Sequence, residues 1–156
     1  MAFEVRMTAA ATLVAAALLA TAGGAGAEIV QVSSARPVAE TMDALQAAVE
    51  AAGLGVAARI DHAGAAASAG LELRPEQVLV FGNPKVGTPA MQADPRAGLF
   101  LPLRVVVYED ADGQVWLAYQ DPAAMMAGLD IPADAPYLAA MTGALGKLTA
   151  AAAAAE

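Results

Sequence analysis

Few side chains in this sequence can do chemistry, and they fall in three places. The first is Asp61-His62, which holds the chain's one histidine. A histidine beside a carboxylate can act as a general base near neutral pH. It can equally be a strand-end residue satisfied by a backbone carbonyl. The second is "FGNPKVGTPAMQ", Phe81 to Gln92. Here Asn83, Lys85, Thr88, Met91 and Gln92 gather polar and soft apolar groups in a stretch punctuated by Gly and Pro. Such a stretch can present amides to a small ligand, with Met91 as an adaptable wall, or it can be a tight Ω-like connection between strands. The third is Glu109, Asp110 and Asp112, which read as a solvated hairpin tip; their spacing does not match a calcium-binding EF-hand.

Other chemistries have little to work with. There is no cysteine, which excludes disulfides, thiolate nucleophiles, iron–sulfur clusters and covalent haem. One histidine makes a zinc site of the usual type a poor fit. Past residue 27 the serines are Ser33, Ser34 and Ser68, none in a G-x-S-x-G elbow. His62 and Met91 are a weak pair of haem ligands, so no cofactor is expected. The net charge is −8, with eight scattered basic residues, which argues against a nucleic-acid partner and against anionic lipid.

The first 27 residues resemble a secretory leader. Arg6 precedes the apolar run "TAAATLVAAALLATA", and Ala25-Gly26-Ala27 forms an A-x-A site. The run is too short to span a bilayer comfortably, and a lipoprotein would need a cysteine. The expectation is export to the periplasm or exterior, with a mature chain of 156 − 27 = 129 residues starting at Glu28. The alternative is an uncleaved N-terminal anchor.

Elements must position these groups. "EIVQVSS" alternates as a first strand. The stretch after Arg36-Pro37 reads as a helix with Val38, Met42, Leu45 and Val49 on one face, stopped by Gly53 and Gly55. Strands follow over Val56–His62 and "VLVFGN", with "AGAAASAG" between them as a loop or short helix. "LPLRVVVYED" and "QVWLAYQD" form a hairpin through Ala111-Asp112-Gly113. A short capped helix follows Asp121. A final amphipathic helix carries Leu138, Met141, Leu145 and Leu148, and residues 151–156 read as a disordered alanine-rich tail. About five strands and two main helices argue for an α+β domain over 28–150, an antiparallel sheet with helices on one face. There is no G-x-G-x-x-G for a Rossmann unit.

Several ordered segments resemble the uncharacterised prokaryotic family called domain of unknown function 302: Ile60-Asp61-His62-Ala63, Gly70 to Pro75, Phe81-Gly82-Asn83-Pro84, Gly87-Thr88, Met91-Gln92, Leu101-Pro102-Leu103, Glu109-Asp110, Asp112-Gly113, Trp116, Tyr119 and Asp121-Pro122. The resemblance runs from about Val30 to Leu148. It implies a compact α+β fold of the TATA-binding-protein-like or helix-grip class, often dimeric, and it implies no established activity. Arg36-Pro37 stands where the family usually has a capping Ser. The expected function is binding of a small ligand or partner through Asp61, His62, Asn83, Lys85, Thr88, Met91 and Gln92. The alternatives are an enzyme using Asp61/His62 as an acid–base pair and a structural dimerisation module.

Overall fold

A computed structural model describes residues 28–154. The leader expected over residues 1–27 lies outside them. The elements run β1 (Ile29–Ser34), α1 (Val38–Ala51), β2 (Gly55–Asp61), α2 (His62–Ser68), β3 (Glu76–Gly82), α3 (Pro84–Ala93), a 3-10 turn (Pro95–Leu99), β4 (Leu103–Glu109), β5 (Val115–Gln120), α4 (Pro122–Met125) and α5 (Pro136–Ala153). The five strands form one antiparallel sheet in the order β1-β5-β4-β3-β2. Strands β2 to β5 are a meander. α1 carries the chain from one sheet edge, β1, to the other, β2.

One sheet face holds the core. Leu79 and Phe81 of β3, Val105 and Val107 of β4, and Leu117 of β5 are fully buried, as the period-two alternation requires. Against them lie Met42, Leu45 and Val49 of α1 and Leu138, Met141, Leu145 and Leu148 of α5, all buried. The expected α+β fold, with its helices on one face, is the fold observed. α1 starts without a side-chain cap at Pro37. Instead the Ser34 and Thr41 hydroxyls bond each other at 2.8 Å, tying the end of β1 to the first turn of α1.

Two segments differ from expectation. The stretch Phe81 to Gln92, read as a loop whether ligand-presenting or Ω-like, instead ends β3 and forms helix α3 (Pro84–Ala93) with Asn83 as its cap. Asn83 Oδ1 accepts the Lys85 N–H at 2.9 Å and Pro84 occupies the first turn, a cap and start that suit a helix. Pro89 lies inside α3. It deprives only the Lys85 carbonyl of a donor, and Lys85 is exposed to water. The next residue, Ala90, is fully buried. The second difference is the tail. α5 continues to Ala153 and Ala152 is fully buried, because the small alanines let the last turn lie against the core.

Among the described residues, neither α1 nor α5 covers the other sheet face, since both pack on the core side. Val78, Val80 and Val106 are half-buried there, Ile60 is 42% exposed and Ile29 is 64% exposed.

Candidate functional site

The site is built where β2, β3, α3 and the segment before β4 meet. Gly55 pairs with Gly82 at one end of the β2–β3 ladder. Two facing glycines leave space at the sheet edge. Directly after Gly82 the Asn83 cap turns the chain into α3, and Gly87 brings that helix close to Leu101: a Cβ at Gly87 would stand 3.5 Å from Leu101 Cδ1. The result is a cavity of about 480 Å³. Its walls are Val56, Val86, Met91, Leu101, Leu103 and Met141, with Asn83 and Thr88 as the polar side chains. No ionisable side chain lines it. The size falls in the range of small-molecule pockets.

The seven residues singled out in the sequence divide into three groups. Asn83, Thr88 and Met91 line this cavity. Lys85 and Gln92 lie on α3 but are exposed and outside the lining. Asp61 and His62 are at the other end of the ladder, where Asp61 pairs with Gln77. From Gln77 to Gly82 is five residue steps, about 17 Å at about 3.3 Å each. His62 and Met91 are therefore not brought together, and the weak haem pairing has no geometric basis.

Asp61 has a local task. Its Oδ1 accepts the Gly64 N–H at 2.9 Å and caps α2. The same device starts two more elements. Asp94 Oδ1 accepts Arg96 N–H at 2.9 Å before the 3-10 turn, and Asp121 Oδ1 accepts Ala124 N–H at 2.9 Å before α4. Asn83-Pro84, Asp94-Pro95 and Asp121-Pro122 are thus three copies of one signal, a capping oxygen followed by proline at the first helical position.

Asp94 is buried and does more than cap. Its carboxylate takes a two-pronged grip from the Arg96 guanidinium (Nη2 to Oδ2 2.6 Å, Nε to Oδ1 3.0 Å) and accepts the Asp130 N–H at 2.9 Å. These bonds, the Arg96 side chain first, hold its pKa well below the ordinary carboxylate value. Asp94 was not singled out in the sequence; the Asp-Pro pair was the available signal. Asp110, read as a solvated tip, is likewise engaged. It accepts Trp116 Nε1–H at 2.8 Å and the backbone N–H groups of Asp112 and Gln114 at 2.9 Å each. The Trp116 bond leads in lowering its pKa. Among the described residues no group of three His, Asp or Glu is placed to hold a metal ion.

A family profile, "Domain of unknown function DUF302", matches residues 30–155. Two curated relatives, both named "Fluoride-specific ion channel FluC 1", come from Brucella suis biovar 1 (strain 1330) and Brucella abortus biovar 1 (strain 9-941). Each is 40% identical over 117 residues, 74% of this chain. The chain spans less than half the length of these relatives, 46% and 43%. A crystal structure of an uncharacterized conserved protein DUF302 from Bacillus stearothermophilus aligns with a TM-score of 0.72 over 80% of this chain and 97% of that one. At 21% identity it speaks for the fold. Profile and fold agree, and the chain belongs to the family described as domain of unknown function DUF302.

Proposed function

We propose that this domain is a non-catalytic binding module that takes a small, neutral, mainly apolar ligand into the cavity beneath α3. The observation that carries this reading is the cavity itself: about 480 Å³, walled by aliphatic and methionine side chains, with Asn83 and Thr88 as its polar side chains. Two methionines, Met91 and Met141, face it from different helices and adapt to more than one ligand shape. The lack of an ionisable lining residue fits a neutral ligand and leaves no group there for acid–base work. An enzyme built on Asp61/His62 finds less support, since the Asp61 carboxylate accepts the Gly64 N–H and the pair stands apart from the cavity.

The channel relatives bear on the setting. Among the described residues no helix is long and apolar enough to cross a membrane. In our reading the domain is an accessory unit beside the channel portion of such proteins. We carry over no fluoride chemistry, because the α3 cavity has no cation to meet a hard anion.

Export belongs to the same reading, on the strength of Arg6, the apolar run and the A-x-A site. An intact mass beginning at Glu28 is the expected result, and Met1 retained in a cytosolic fraction would sink it.

The binding test uses Nile red as a neutral apolar probe on protein carrying 13C-methyl methionine. Saturable shifts at Met91 and Met141, with Met42 unmoved, are expected. Gly87→Ile, which fills the cavity from α3, abolishes them while the far-UV spectrum is kept. Probe binding that leaves Met91 and Met141 unmoved rejects the site.

A further inference from the structure

On the opposite side of the sheet the ladder between β4 and β5 is incomplete. It pairs Glu109 with Val115 through to Val106 with Ala118 and stops there. Both strands continue. β4 goes on pairing with β3 down to Phe81 with Leu103, and β5 goes on pairing with β1 to Ile29 with Gln120. The two central strands therefore part company while each keeps its outer neighbour.

The phase of the ladder says which groups face the gap. Asp110 N–H donates to Gln114 across this pair, so the even-numbered residues of β4 point their backbone groups toward β5. Asp121 N–H donates to Glu28 on the β1 side, so Gln120 points its groups toward β4. In the running register the next exchanging pair is Arg104 with Gln120, and that rung is not made. Main-chain donors and acceptors thus border an opening in the sheet.

The opening is a cavity of about 370 Å³. It is reached from the open face beside Val78, Val106 and Ala118 and ends against Leu145 of α5, on the core side. Arg104 at its mouth is the one charged residue among those that line it. Arg104 is exposed and, among the described residues, has no ion pair. A guanidinium without an ion pair over a mainly apolar shaft, whose lining also holds Gln31, Tyr108, Tyr119 and Gln120 and whose rim carries the backbone of Arg104 and Gln120, is complementary to one ligand shape: an anionic head on an apolar body.

We propose that the parting of β4 and β5 is a second binding site, across Leu103 from the α3 cavity, for a small amphipathic anion such as a medium-chain carboxylate, its head on Arg104 and its chain directed at Leu145. The chain displaces poorly held water from apolar walls. The carboxylate meets the planar fork of Arg104 in two parallel hydrogen bonds, a geometry that lysine does not reproduce.

Sodium octanoate is the probe, added to full-length 15N-labelled protein, with 1-octanol as the uncharged match. Saturable shifts at the Arg104, Val106 and Gln120 amides are expected, with octanoate at least tenfold tighter than octanol. Arg104→Gln, an exposed change that leaves the core intact, should bring octanoate to the level of octanol. Ala118→Leu narrows the shaft and should weaken both ligands. The proposal is overturned if octanoate gives no saturable shift, if it binds Arg104→Gln as tightly as the parent, or if sedimentation shows a stable dimer whose open sheet face excludes the probe.

Discussion

At the scale of single residues, this chain uses its polar side chains mainly to start elements. Asn83 is the informative case, because it both caps α3 and borders the cavity beneath it. Its Oδ1 holds the Lys85 N–H, and an aspartate oxygen can do the same. Asn83→Asp is therefore expected to melt within a few degrees of the parent. Asn83→Ala removes the cap and should cost about 1 kcal/mol. If the Asn83 amide also donates to the bound ligand, Asn83→Asp loses affinity at unchanged stability, since a carboxylate cannot donate. Denaturant titration beside Nile red titration separates the two roles. Equal stability of all three proteins would contradict the cap.

Helix α5 decides most at the scale of elements. Leu145 is buried against the sheet, and Lys147, two residues on, is exposed. Leu145→Asp places a charge in the core and is expected to cost roughly 3–5 kcal/mol, enough to unfold a marginal domain. Lys147→Asp should change the melting temperature little. The end of the helix gives a second contrast. Ala152 is fully buried whereas Ala150 is exposed, so Ala152→Asp should lower the melting temperature and Ala150→Asp should not. Indistinguishable melting of that pair would mean the last turn does not dock. α3 teaches the complementary point. Its Gly and Pro content argues for a loop, yet the Asn83 cap, Pro84 and the burial of Ala90 make it a helix. Local propensity is a weak prior where a cap and a packing face agree against it.

The whole molecule should show a marked acid limb in its stability. Asp94 and Asp110 both have pKa values lowered from the model-peptide value of 3.8 by the donors that surround them in the fold. The unfolded chain takes up protons near that value while the folded chain resists. Their contribution is thus fully present above the unfolded value and is lost as pH falls below it toward the folded values. Asp94→Asn, which keeps the shape but not the charge, should lower stability at neutral pH and flatten the slope below about pH 4. Urea midpoints measured at neutral pH and at successive steps below pH 4 check this. A parent and variant with parallel acid limbs would show that Asp94 does not carry it. Arg96 and the Asp130 N–H make the effect a property of the assembled fold, because Asp130 reaches Asp94 from 36 residues away.

Much of this protein was legible before folding. The spacing of Val38, Met42, Leu45 and Val49, and of Leu138, Met141, Leu145 and Leu148, identified two core-facing helices, because helical period is a local property. Alternation marked the strands for the same reason, and the ordered motifs from Ile60 to Asp121-Pro122 carried the family. Asn83, Thr88 and Met91 were legible as neighbours because they sit within nine residues of one another on one element. What the tertiary structure decided is long-range. The antiparallel register of β2 and β3 sends Asp61 and His62 to the far end from Asn83, and no local pattern carries that separation. Met141 enters the α3 cavity from the last helix. The parting of β4 from β5 depends on each strand holding its other neighbour. Which side chains share a cavity is a matter of strand order and register, set by packing the whole sheet at once, and that is why the two cavities emerge only from the fold.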